Sequence, residues 1–134
     1  MAVLFITSDR PRAGKTALAS ALAARWSGAG KGVGYFKPFS ANPQDDTDFS
    51  FVARDVLSNG DAALPLLMPE DTKAPLPQDF SKALRDAVDA LGSGRDVVLV
   101  EGPCLYSPDG EASPIAPALV EDLDARVLLV LQYA

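Results

Sequence analysis

The sequence predicts a three-layer α/β domain in which helices cover both faces of a parallel sheet. Three observations carry this. Short apolar runs, "AVLFIT" (2–7), "DVVLVEG" and "ARVLLVLQY" among them, have the length and β-branched content of buried strands. Segments with helical spacing alternate with these runs, and parallel neighbours need such crossovers before they can pair. The chain has 134 residues, 48% of them hydrophobic and 22% charged, which is globular composition with room for one core. Residues 1–134 therefore read as a single domain.

Residues 2–7 form the first strand and lead through a polar turn into an alanine-rich segment. Across 15–29, Leu18, Leu22 and Trp26 recur every four residues on one helical face, and Gly28 and Gly30 supply the stop. "KGVGYFKP" is a second strand up to Lys37, which Pro38 ends because it cannot donate to a ladder. Residues 47–57 predict a helix capped by Thr47, with Phe51, Val52 and Val56 on its apolar side. In "LPLLMPEDTKAPLPQDF", Pro65, Pro69, Pro75 and Pro77 predict a shaped surface loop.

Phe80, Ala83, Leu84, Ala87, Val88 and Leu91 then follow i, i+3, i+4, i+7 spacing, and this helix ends at Gly92 and Gly94. "DVVLVEG" is a strand stopping at a carboxylate. A loop with Pro103, Pro108, Gly110 and Pro114, a short helix near 115–123 and a last apolar strand complete the pattern. A doubly wound sheet ordinarily runs from such a strand into another helix, so the sequence reads as the first part of a larger unit. Either a homodimer or a further C-terminal domain is the expected cover for the open edge.

A net charge of −6 argues against general binding to a phosphate backbone, so no nucleic-acid partner is expected and any anion site is local. Cys104 is the only cysteine and there is no histidine, which excludes disulfide frameworks, zinc clusters and Ser/His/Asp triads. Cys104 itself reads as a small buried thiol. No run approaches the roughly 20 apolar residues of a membrane span, and the amino terminus reads as the start of a strand-like segment rather than as a basic signal peptide. The expected setting is cytoplasmic, without a membrane partner.

The chemistry centres on "SDRPRAGKT". Gly14, Lys15 and Thr16 stand where a buried strand meets a helix, and backbone N–H groups and the helix dipole attract anions there. Gly14 would let the backbone approach a phosphate, Lys15 would reach the β- and γ-phosphates, and the Thr16 hydroxyl would ligate Mg²⁺; the alternative is a helix start whose Lys15 and Thr16 are merely solvated. The common pattern G-x-x-x-x-G-K-[ST] is not met, since Asp9 occupies its first position. Arg10 and Arg12 are either added phosphate contacts or surface charges. Glu101 ends a strand at the edge where open parallel sheets bind ligands, as a metal-linked carboxylate or a surface glutamate. Lys37 ends another, either to neutralise a transferring phosphoryl group or to reach water. Asp45, Asp46 and Asp48, in "QDDTDF", offer a further carboxylate for Mg²⁺, with Asp48 at a helix start, where an acidic residue is favourable without any metal.

The order of these pieces, a GKT loop, "GYFKP", "DTD" and "VLVEG", resembles dethiobiotin synthase and the similar domain at the amino terminus of some phosphotransacetylase-like proteins. The resemblance spans nearly the whole chain and implies a phosphate-loop NTPase fold. In that family the loop carries one more residue between its glycines, which places the first at Ser8. The resemblance implies a nucleotide site formed by Arg10, Arg12, Ala13, Gly14, Lys15, Thr16 and Ala17. It makes Lys15 and Lys37 the catalytic lysines and Thr16, Asp48 and Glu101 the Mg²⁺ residues. The implied reaction uses ATP to phosphorylate a carbamate formed from CO₂ and a diamino acid, closing a cyclic urea. This chain departs from the family at Ser8, Pro11, Arg12, "PFSANP" and "PCLY", which leaves the small-molecule acceptor open. Two functions follow: Mg-ATP-dependent phosphoryl activation of a carboxylate or carbamate, or a non-catalytic nucleotide-sensing module.

Overall fold

A computed structural model describes residues 1–58, 61–63, 65–67, 69 and 71–132. Its central strand β1 (Ala2–Ser8) lies between β6 (Val97–Glu101) and β7 (Arg126–Val130), and β2 (Val33–Phe36) lies between β6 and the two-residue β4 (Ala62–Ala63). The order is β4-β2-β6-β1-β7, and every pairing is parallel. The three-layer α/β arrangement expected from the sequence is therefore present.

Alternation along the strands sorts the core. Ile6, Tyr35 and Leu99 point to the face covered by α1 (Lys15–Gly28), where they meet Ala19, Ala23 and Val52. Phe5, Phe36, Val98 and Val100 point to the opposite face, covered by α3 (Gln78–Gly92) and α4 (Ile115–Asp122) through Leu84, Val88 and Leu119. These positions are almost fully buried, as a parallel sheet covered on both faces requires.

Several local expectations change. In α1 the buried residues are Ala19 and Ala23, while Leu18, Leu22 and Trp26 are only half-buried. Alanine lets the helix axis come close to the sheet, so the larger side chains flank the contact instead of filling it. On α3, Ala83 is exposed whereas Leu84, Val88 and Leu91 are buried.

The helix expected over 47–57 divides into α2 (Thr47–Ser50) and a π-helical segment, Phe51–Val56, closed by Leu57 N–H donating to the Val52 carbonyl at 2.9 Å. The cap is Asp46, not Thr47, because the Asp46 carboxylate accepts from Phe49 N–H at 2.9 Å. The wider π turn directs Val52 and Ala53 inward and leaves Phe51 exposed.

The proline-rich segment is not wholly irregular. β5 (Leu66–Leu67) pairs with β3 (Phe39–Ser40) in a second, two-stranded parallel sheet. Leu64, Met68 and Glu70 of the expected loop lie outside the described residues. β7 closes one edge of the main sheet with Val127, Leu128 and Leu129 all exposed. Among the described residues, no helix is long and apolar enough to cross a membrane.

Candidate functional site

Three strands end at one cleft of about 560 Å³. At the end of β1, the loop enters α1 through Gly14, whose φ of 106° is accessible to glycine and strained for other residues. Arg12 is also left-handed, at φ 58°. No side chain caps α1. Its first-turn N–H groups thus lack a side-chain acceptor, and Lys15, Thr16 and Ala17 line the cleft at that point. This is the geometry in which a helix N-terminus takes up an anion.

Ser8, where the resembled motif has glycine, is completely buried. Its hydroxyl donates to the Arg10 carbonyl at 2.7 Å and lies 3.5 Å from Cys104 Sγ. The loop therefore accommodates a side chain by using it to close itself. Cys104 is half-buried and lines the cleft, more accessible than the expected buried thiol. Lys15 Nζ donates to its Sγ at 3.4 Å.

Glu101 ends β6, 4% exposed. Thr16 Oγ1 donates to its Oε2 at 3.0 Å and the Tyr35 hydroxyl donates to its Oε1 at 3.1 Å. Burial pushes the Glu101 carboxyl above its ordinary range, while the Thr16 and Tyr35 hydrogen bonds and the charges of Lys37 and Lys15 act in the opposite direction. Burial, reinforced by the Glu101 charge, also pushes the Tyr35 phenol up.

Lys37 follows β2 directly, half-buried, with Nζ 2.7 Å from Asp46 Oδ2. Partial burial works to raise the Asp46 carboxyl, yet hydrogen bonds from Lys37 and Phe49 N–H hold it below the usual carboxylate range. The same carboxylate that caps α2 thus neutralises Lys37. Asp48, on the first turn of α2, is exposed and lines the cleft.

The structure brings Arg12, Gly14, Lys15, Thr16, Ala17, Lys37, Asp48 and Glu101 to one cleft. Arg10 and Ala13 are not among its lining residues. Arg10 Nε lies 3.8 Å from Asp9 Oδ2, and Ala13 is half-buried in the loop. Sequence reasoning passed over Tyr35 and took Asp46 only as one of three candidate Mg²⁺ carboxylates, not as the partner of Lys37 and the cap of α2. Tyr35 sits inside an apolar strand run and reads there as core, whereas Asp46 precedes a threonine that makes an equally good cap.

Among the described residues, no three His, Cys, Asp or Glu side chains form a metal cage. The Thr16 hydroxyl and the Glu101 and Asp48 carboxylates are hard oxygen donors, the set that Mg²⁺ uses when phosphate oxygens and water complete its shell. The residues present fit that ion.

Gly102 ties the site to the core. A Cβ there would strike the Phe5 ring, so Gly102→Ala is expected to cost about 1–3 kcal/mol through overpacking and to displace Glu101. A denaturant midpoint equal to that of the unsubstituted protein would refute this.

No curated protein sequence matches the chain. Among solved structures it is similar to the signal recognition particle receptor FtsY from Elizabethkingia anophelis in complex with GDP, with a TM-score of 0.59 and 16% identity over 96% of this chain and 39% of that one. It is also similar to the BceF tyrosine kinase domain, with a TM-score of 0.56 and 18% identity over 95% of this chain and 55% of that one. The chain thus spans roughly two fifths and just over half of these neighbours. At such identities the likeness is one of fold, and the fold is that of the phosphate-loop NTPases. The model of an AAA domain family matches residues 2–134, almost the entire sequence, and the chain belongs to that family.

Proposed function

We propose that this chain binds Mg-ATP along the carboxyl ends of β1, β2 and β6 and uses it to phosphorylate a carboxylate or carbamate oxygen of a small-molecule acceptor. The observation that carries the reading is the 3.0 Å contact of Thr16 Oγ1 with Glu101 Oε2 beside the uncapped start of α1. It joins a phosphate-binding geometry to a buried carboxylate in one cleft.

In this reading the first-turn N–H groups of α1 and the Lys15 ammonium hold the β- and γ-phosphates. Thr16, Glu101 and Asp48 would hold Mg²⁺, which would supply positive charge against the phosphate oxygens. The acceptor oxygen attacks the γ-phosphorus, the bond to the β–γ bridging oxygen breaks, and ADP leaves with that electron pair. Lys37, released from Asp46, neutralises the charge on the transferring group.

Calorimetric titration with Mg-ATP, with Mg-GTP as comparison, tests the first half. Release of ADP that depends on an added carboxylic acid or a CO₂-derived carbamate, and that is lost in Lys37→Ala, supports the second half. Release at the same rate without any acceptor and in that variant refutes phosphoryl activation and leaves simple hydrolysis.

A further inference from the structure

Glu101 is surrounded by groups that compete for it. Thr16 already donates to Oε2, and the Lys15 and Lys37 ammonium groups are near enough for their charges to act on the carboxylate. A buried carboxylate without a fixed partner on its second oxygen would turn toward one of these lysines, because an unpaired buried charge is costly. Such a turn would remove both the lysine and the carboxylate from the cleft.

Tyr35 stands against that turn. In the β2–β6 register Tyr35 is opposite Leu99, so Glu101, two residues further along β6, is its diagonal neighbour on the same face. A phenol reaches across such a diagonal where a smaller side chain does not. The ring is fully buried and stacks on Phe49 of α2 with centroids 5.9 Å apart, which fixes its direction. The hydroxyl meets Oε1 at 3.1 Å. Lys15 and Lys37 are left to Cys104 and Asp46.

We infer that Tyr35 is a positioning residue for the metal site: its hydroxyl pins Glu101 Oε1 so that Oε2 stays beside Thr16 and neither lysine is drawn onto the carboxylate. The inference rests on the nucleotide-binding reading above and adds a role for a side chain that touches neither nucleotide nor acceptor. It also links α2 to the site, since Phe49 and the Lys37-binding Asp46 belong to the same turn of chain.

The test is ADP affinity by calorimetry, with Mg²⁺ and with EDTA, in the unsubstituted protein, Tyr35→Phe, Glu101→Gln and the double variant. Tyr35→Phe keeps the ring and its stack and removes one oxygen. The ratio of affinities with and without Mg²⁺ is expected to fall about tenfold, the size of one hydrogen bond to a charged group. The double variant is expected to match Glu101→Gln alone. An unchanged ratio in a Tyr35→Phe protein of normal melting temperature, or losses that simply add in the double variant, overturns the assignment.

Should Tyr35→Phe fail to fold, the unsubstituted chain labelled with 3-fluorotyrosine replaces it. Of the fluorine resonances of its three tyrosines, the one that persists in Tyr106→Phe and in Tyr133→Phe, and so belongs to Tyr35, is expected to shift with Mg-ADP and not with ADP in EDTA. Identical spectra overturn the assignment. Absence of nucleotide binding in the unsubstituted protein overturns the proposed function as well, whereas Mg²⁺-dependent binding that Tyr35→Phe leaves intact overturns Tyr35 alone.

Discussion

Lys15→Ala is expected to lower the affinity for Mg-ATP by at least about thirtyfold, the loss that follows from removing a charged hydrogen-bonding partner of phosphate. The state of the two cleft lysines is the reason for choosing this one. Lys37 is tied to Asp46 at 2.7 Å, so part of its charge is already spent. Lys15 has no carboxylate within ion-pair distance among the described residues, and its ammonium touches only the Cys104 sulfur. Its charge is therefore free to meet an anion arriving at the start of α1. Lys82→Ala is the control, because Lys82 lies exposed on α3 paired with Asp86, and it should leave the affinity unchanged. Equal affinities for Lys15→Ala and the unsubstituted protein would move the nucleotide away from this loop.

Phe5→Ala is expected to remove about 3–5 kcal/mol of unfolding free energy, a large share of the roughly 5–15 kcal/mol available to a domain of ordinary stability. Phe5 has no exposed surface, lies on the central strand and packs into the α3–α4 layer. Its ring also occupies the space beside Gly102. The cavity left by its removal would open directly behind Glu101, so nucleotide affinity should fall together with stability. On the same face of the sheet, Val127 is 47% exposed, and Val127→Ala should stay within about 0.5 kcal/mol. Urea titrations of the two variants measure the contrast. Equal midpoints would mean that the α3–α4 layer contributes little to the fold.

Much of this was legible in the sequence, for identifiable reasons. Strands buried on both faces read as continuous apolar runs, which made β1, β6 and the parallel sheet visible. Gly14, Lys15, Thr16 and Glu101 stand out because charged or flexible residues follow those runs abruptly. Tyr35 did not stand out, since a buried phenol looks like core until its oxygen finds Glu101 across two strands, and such a diagonal depends on register. The exchange of Thr47 for Asp46 as cap turns on which of two adjacent good cappers the lysine at the end of β2 can reach. Ala19 and Ala23 were missed because periodicity marks large apolar residues, whereas close approach of helix to sheet selects small ones. Arg10 has a carboxylate beside it in the chain, and charge alone cannot say which neighbour it will choose.

The two sides of the cleft rest on unequal hydrogen bonding. Lys15 and Glu101 follow or end strands with ladders of four or five residues on both edges, and Lys37 follows β2, which has such a ladder on one edge, whereas Phe39 and Ser40 hold only a two-residue ladder with Leu66 and Leu67. Amide hydrogens of β1, β2 and β6 should exchange with solvent only when the whole domain opens, while those of β3 and β5 exchange through small local openings. The floor of the cleft would thus keep its shape on the timescale on which the wall formed by β3 and β5 breathes. Hydrogen exchange read by mass spectrometry should therefore find the β3 and β5 amides exchanging while those of β1 and β6 stay protected.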